Sequence, residues 1–164
     1  MHEADLKLLL LMRTRGHSPR LESAAKALGR AGNNGAVWVV LGLALALLDP
    51  ERRESWLICA VLGPVAIGLN YGIKLLVKRP RPVLDGLPPL GGAPSSLSFP
   101  SAHALSSFAV ATAMVRVDPA TAGALVVALA LSLGRPYLGM HYPSDVLAGA
   151  FLGVLLGLVV PLSI

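Results

Sequence analysis

The chain has 164 residues, 54% apolar and only 14% charged, with a formal net charge of +5 and a mean hydropathy of +0.67. About a quarter of the residues in a soluble domain are charged, so this composition excludes an ordinary soluble domain and points to lipid surroundings. It also argues against a nucleic-acid partner: aromatics make up 5%, and the basic residues flank apolar runs instead of forming a stripe on a polar domain.

The length is that of one domain, 1–164. The lone cysteine, Cys59, lies in an apolar stretch and excludes both an intrachain disulfide and a cysteine-based metal site.

Residues 1–34 read as an amphipathic region in the headgroup layer. Leu6 and Leu8 to Met12 form a brief apolar run, followed by Arg13, Arg15 and Arg20. Ser18-Pro19 is a helix start, Ser as N-cap and Pro in the first turn. Leu21, Ala24, Ala25 and Leu28 share one face, Lys26 and Arg30 lie elsewhere on the wheel, and Gly32 ends the helix. A cleaved signal peptide is the poorer reading, because basic residues follow the apolar run in place of a small-residue cleavage site.

Five apolar segments follow, roughly Gly35 to Leu48, Ser55 to Val77, Ala102 to Val117, Ala120 to Gly134 and Val146 to Ile164. The second, about 23 residues or roughly 34 Å as a helix, is long enough to cross a bilayer. The first, third and fourth, nearer 20–25 Å, would each pass alone for a buried soluble helix. Five in succession, joined by short polar turns, predict an all-α membrane bundle.

With five crossings, the loops Lys78 to Ser101 and Arg135 to Ser144 share the side of the N-terminus. Arg52, Arg53 and Arg116 are the only basic residues on the opposite side, against eleven on the first. The positive-inside rule then places the first side in the cytoplasm.

Three short runs on that side carry the chemistry: K-L-L-V-K-R-P-R-P over Lys74 to Pro82, P-S-A-H over Pro100 to His103, and R-P-Y-L-G-M-H-Y-P-S-D over Arg135 to Asp145. Ionisable groups beside membrane segments are expensive unless functional. Lys74, Arg81 and Arg135 are cations suited to phosphate, the arginines gripping two oxygens at once. Ser101 and the backbone at Ala102 lie at a helix start, where free N–H groups favour an anion. His141 precedes Asp145 by four residues, so a helical turn would put both on one face. The carboxylate would then hold Nδ1–H and leave the Nε2 lone pair free as a nucleophile. His103, with no carboxylate near it in sequence, suits the general acid and base.

These runs resemble the type-2 phosphatidic acid phosphatase superfamily, which also includes the vanadium haloperoxidases. K-x6-R-P is matched by Lys74, Arg81 and Pro82, and P-S-G-H by Pro100, Ser101 and His103, with Ala102 for Gly. S-R-x5-H-x3-D is matched by Arg135, His141 and Asp145, with Gly134 for Ser. The resemblance implies a metal-independent phosphatase, without cofactor, acting through a phosphohistidine on His141. It also implies a core of six helices, the first replaced or reshaped here by the N-terminal region.

The expected partners are a lipid phosphate and the bilayer, in a bacterial plasma membrane. The resemblance, the small size and the cytoplasmic site favour a prenyl-linked phosphoribose phosphate such as decaprenylphosphoryl-5-phosphoribose. Undecaprenyl diphosphate, phosphatidic acid and phosphatidylglycerol phosphate are alternatives, and a lipid-binding scaffold is the non-enzymatic one. The hydropathy argues against a haloperoxidase, since those enzymes are soluble.

Elsewhere the expectations are plainer. Lys78 and Arg79 read as interfacial charges, His2 and His17 as surface residues, and Asn70 and Tyr71 as interhelical or interface residues. The Pro-, Gly- and Ser-rich loop Leu84 to Phe99 borders the site as a connector or gate.

Overall fold

The computed structural model describes residues 2–92 and 97–163; the side chain of His2 lies outside the described part, as does the middle of the loop Leu84 to Phe99. Among these residues seven α-helices follow in order: α1 His2–Thr14, α2 Pro19–Ala31, α3 Ala36–Leu48, α4 Arg53–Val77, α5 Ala102–Val117, α6 Gly123–Tyr137 and α7 Pro143–Val159. Among the described residues the only β pairing is an isolated bridge between Pro80 and Leu97. The all-α expectation holds, and the five apolar segments appear as α3 to α7, with starts shifted by up to three residues and the last helix ending at Val159 instead of Ile164.

The span count is less simple than five equal crossings. Residues Pro50–Val77 and Pro119–Tyr137 are long and apolar enough to cross a membrane. α2 with Asn33–Leu48 passes the same test as one pair bent by 53°. Both α5 and α7 are apolar but shorter.

The physical reason is clearest at α5. It is the central helix, packed by α4, α6 and α7, so neighbouring helices rather than lipid set its length. Leu105, Ala109, Val110, Ala111, Ala113 and Met114 are all buried there.

Small residues allow that packing. Gly149, Gly153 and Gly157 recur every fourth residue along α7, so they form one stripe. A Cβ on Gly149 would lie 2.6 Å from the Ser101 carbonyl oxygen, and one on Gly153 would strike that of Leu105. Backbones that approach this closely gain van der Waals contact that lipid cannot supply. On the other side of α5, the Trp38 indole of α3 donates to Ser107 Oγ at 2.9 Å.

The N-terminal region forms its helix as the sequence indicates. Ser18 Oγ accepts from Leu21 N at 3.2 Å, and Pro19 opens α2. Gly32 follows the last turn, its N–H donating to the carbonyls of Leu28 and Arg30. Ala25 is buried, while Leu21 and Leu28 remain exposed. α2 packs against α6, which brings its C-terminal turn to the end of the bundle where the three motifs lie. His17 is a correction: it is not a simple surface residue. Its ring stacks on Tyr137 with centroids 4.0 Å apart, and Nε2 contacts the Met12 carbonyl at 3.0 Å.

Candidate active site

Four helix ends meet at one end of the bundle: the C-termini of α4 and α6 and the N-termini of α5 and α7. The alternation of direction along the chain dictates this, and it brings the three motifs together. The Ser101 N–H donates to the Asp145 carbonyl at 2.9 Å, tying the start of α5 to that of α7. Met140 N donates to the Arg135 carbonyl at 3.0 Å, folding the turn after α6 back on that helix. Arg81 lies within electrostatic reach of Lys74, His103, Arg135 and His141.

His141 is 3% exposed. Its Nε2 lies 3.2 Å from Arg81 Nη1. A guanidinium only donates, so Nε2 carries the lone pair and Nδ1 the proton. Arg81 Nη1 also donates to the Met140 carbonyl. Burial pushes the imidazole down to about 3, against the pull of Asp145 and with the help of Arg81 and Arg135. His141 is therefore neutral at physiological pH, as a nucleophile requires.

Asp145 is in the expected place but differently employed. His141 precedes α7 instead of sharing its face, and Nδ1 stops 3.5 Å from Asp145 Oδ2, too far for a good hydrogen bond. The carboxylate caps the helix: Oδ2 accepts from Tyr142 N at 2.9 Å. Its other oxygen, Oδ1, accepts from Arg79 Nη1 at 2.7 Å.

Arg79 is thus the residue that the sequence reading missed. Far from being an interfacial charge, it bridges Asp145 and Asp5, the latter through Nη2 at 2.7 Å. It also donates to Ser144 Oγ and lies 4.0 Å over the Tyr142 ring. Asp5 accepts from Ser144 N at 3.0 Å and from the Ser144 hydroxyl. Burial raises the Asp5 carboxyl, but Ser144 and Arg79 outweigh that and hold it below its ordinary range. Helix α1 is pinned to the site in this way. The only sequence hint was an Arg two residues before Arg81.

His103 Nε2 lies 3.0 Å from the Gly29 carbonyl. A carbonyl only accepts, so Nε2 carries a proton, and protonation of Nδ1 as well would make the ring an acid. Gly29 also makes room for Arg135: a Cβ there would sit 3.0 Å from Arg135 Nη1. Ala102 and His103 line a cavity of about 110 Å³ with Gly32, Ser106 and Arg135. Lys74 Nζ donates to the carbonyls of Leu97 and Ser98 at 3.0 and 3.2 Å. Asn70 is an inter-element bond, its Nδ2 donating to the Pro100 carbonyl at 3.0 Å, and Tyr71 is exposed.

Buried polar atoms are nearly always hydrogen-bonded. Among the described residues, five buried side-chain polar atoms are not, and three of them are Ser101 Oγ, Arg135 Nε and His141 Nδ1. All three belong to the converging motifs; His141 Nδ1 faces Asp145, and the other two can donate to an anion.

Residues 35–164 match the family model of the PAP2 superfamily. The chain belongs to this family. It is 37% identical over 145 residues to decaprenylphosphoryl-5-phosphoribose phosphatase of Mycolicibacterium smegmatis, covering 88% of this chain and 80% of that one. With the protein of the same name from Mycobacterium tuberculosis it shares 40% identity over 144 residues, 87% and 80% of the two chains.

Among solved structures it resembles Aquifex aeolicus LpxE, with a TM-score of 0.74 and 25% identity over 94% of this chain and 92% of that one. The PAP2-type phosphatidylglycerolphosphate phosphatase from Bacillus subtilis shares the fold, with a TM-score of 0.75 and 24% identity over 96% and 83%. Membership makes the chain a membrane lipid phosphatase, as its apolar helices and phosphate-suited motifs anticipate.

Proposed function

We propose that this PAP2 phosphatase hydrolyses the phosphate monoester of a prenyl-linked phosphoribose lipid, decaprenylphosphoryl-5-phosphoribose or a close analogue. The reaction passes through a phosphohistidine on His141, without metal or cofactor, at the cytoplasmic face of a bacterial plasma membrane. The two mycobacterial relatives, named for that substrate, support the substrate class. One contact above all supports the mechanism: Arg81, suited to phosphate oxygens, sits at 3.2 Å on the lone pair of His141 Nε2. A phosphate held by Arg81 therefore has its phosphorus close to that nitrogen.

In the first step the phosphate takes Arg81 off Nε2. The lone pair then attacks phosphorus in line as the P–O bond to ribose C5 breaks. His103, charged to the imidazolium beside the bound phosphate, releases its Gly29 bond, gives its Nε2 proton to the leaving oxygen and is left neutral, ready to act as a base. In the second step His103 takes a proton from water, and the hydroxide attacks phosphorus. The P–N bond breaks, inorganic phosphate leaves and His141 is restored.

Lys74, Arg81 and Arg135 balance the charge on the phosphoryl oxygens. The Ser101 hydroxyl, buried without a partner, and the backbone at Ala102 add donors. Asp145 faces the proton on His141 Nδ1 and steadies the imidazole. Charge supports this sidedness: Arg52, Arg53 and Arg116 lie by the start of α4 and the end of α5, away from the site, and the other eleven basic residues lie on the site side or before it in the chain.

The test is phosphate release by purified protein in excess chelator. The substrates compared are prenyl-phosphoribose lipid, undecaprenyl diphosphate, phosphatidic acid and phosphatidylglycerol phosphate. The first should be hydrolysed with the highest kcat/KM, and acid quench should trap an acid-labile phosphoenzyme. Turnover that requires added divalent metal would refute the mechanism, and a preference for another lipid would refute the substrate.

A further inference from the structure

A second cavity, of about 340 Å³, adjoins the one that holds His103. Asn33 and Arg135 line both. Its cations are Lys26, Arg30 and Arg135, and among the described residues no carboxylate lines it. Lys26 and Arg30 come from α2, outside the residues 35–164 that match the family model.

This end of α2 is its C-terminus, whose carbonyls repel an anion. That repulsion is blunted here. The carbonyls of Leu28 and Arg30 accept from Gly32 N, and that of Gly29 accepts from His103 until this ring turns to the leaving oxygen. What faces the cavity is then set by side-chain charge. Lys26 is only weakly neutralised, since Glu22 stands 3.9 Å away.

We propose that this cavity is a second anion subsite, in which Lys26 and Arg30 hold the phosphodiester of a substrate whose monoester lies at His141. The inference rests on the reading above, because a prenyl-phosphoryl phosphoribose carries two phosphates: a diester at C1 and a monoester at C5. Arg135 stands between the two compartments and serves both. The subsite distinguishes a two-phosphate substrate from phosphatidic acid, which has one phosphate and gains nothing from Lys26 and Arg30.

Binding of ribose 1,5-bisphosphate and ribose 5-phosphate to the purified full chain in neutral detergent tests this by calorimetry, whichever lipid is the substrate. The wild type should prefer the bisphosphate by about tenfold or more, the equivalent of about 1.4 kcal/mol. In Lys26→Ala/Arg30→Ala that preference should fall to near one. A control that removes two exposed cations elsewhere, Lys7→Ala/Arg20→Ala, should keep it.

A preference that survives Lys26→Ala/Arg30→Ala overturns the proposal. So does its loss in the control as well, which would mean general surface charge, or the absence of any preference in the wild type. Failure of the substrate reading looks different: prenyl-phosphoribose lipid is not hydrolysed, yet the bisphosphate preference and its dependence on Lys26 and Arg30 remain.

Discussion

Arg79 Nη1 donates to Asp145 Oδ1 at 2.7 Å, while the other oxygen of that carboxylate stops 3.5 Å from His141 Nδ1. The guanidinium therefore governs how far Asp145 can lean toward His141. Asp145 is fully buried, so its charge needs the partner. Arg79→Ala should lower kcat by about 10–100-fold, in the range seen when an orienting partner is lost, with a smaller change in KM. Freed of Arg79, Asp145 should approach Nδ1 and raise the pKa of His141. The acid limb of kcat should thus move to higher pH, which simple loss of stability would not produce. Arg79→Lys should rescue little, because one ammonium cannot span both Asp5 and Asp145.

Removal of the nucleophile is the most direct test of the chemistry. His141→Ala should reduce turnover by more than about 10³-fold, as for other covalent catalysts, and abolish the trapped phosphoenzyme. His103→Ala should slow both steps but leave some phosphoenzyme formation. Phosphorus-31 spectra of quenched protein check both.

The pH dependence of stability has a defined sign. The imidazole of His141 is pushed from 6.5 to about 3 in the folded chain. Between those values the unfolded chain binds the proton and the folded one does not. The stability tied to this group is complete above about pH 6.5 and is lost as pH falls toward 3. Thermal unfolding in detergent should show the wild type losing Tm over that window, and His141→Gln should lose less.

Ser101 separates function from stability. Its hydroxyl is buried without a partner, which costs folding free energy on the order of 1 kcal/mol or more. Ser101→Ala should therefore keep or raise Tm while lowering kcat/KM by about tenfold. A parallel fall in Tm and activity would count against a phosphate-facing hydroxyl.

Gly149 tests how packing sets the site. A Cβ there meets the Ser101 carbonyl at 2.6 Å, so Gly149→Val must push α7 from the start of α5. Overpacking of this kind costs about 1–3 kcal/mol. Because Asp145 rides on α7, activity should fall together with Tm. Gly68→Ala, with open space around the added methyl, is the control.

Much of the protein was legible in its residues. Apolar length, the Ser18-Pro19 start and the charges at helix ends placed the helices, because these are local or periodic properties. The alternation of helix direction brought Lys74, Arg81, Ser101, Ala102, His103, Arg135, His141 and Asp145 to one end, because an apolar helix cannot turn back within lipid. What these groups bond to was not legible. Arg79 meets Asp5 across 74 positions, and His103 meets Gly29 across another 74, and no local periodicity encodes such pairs. The capping of α7 by Asp145, the clamp on Arg79 and the approach of α2 to the site were decided by packing. Glycines let α7 close on α5, and a buried carboxylate took the nearest cation and amide that the tertiary structure offered.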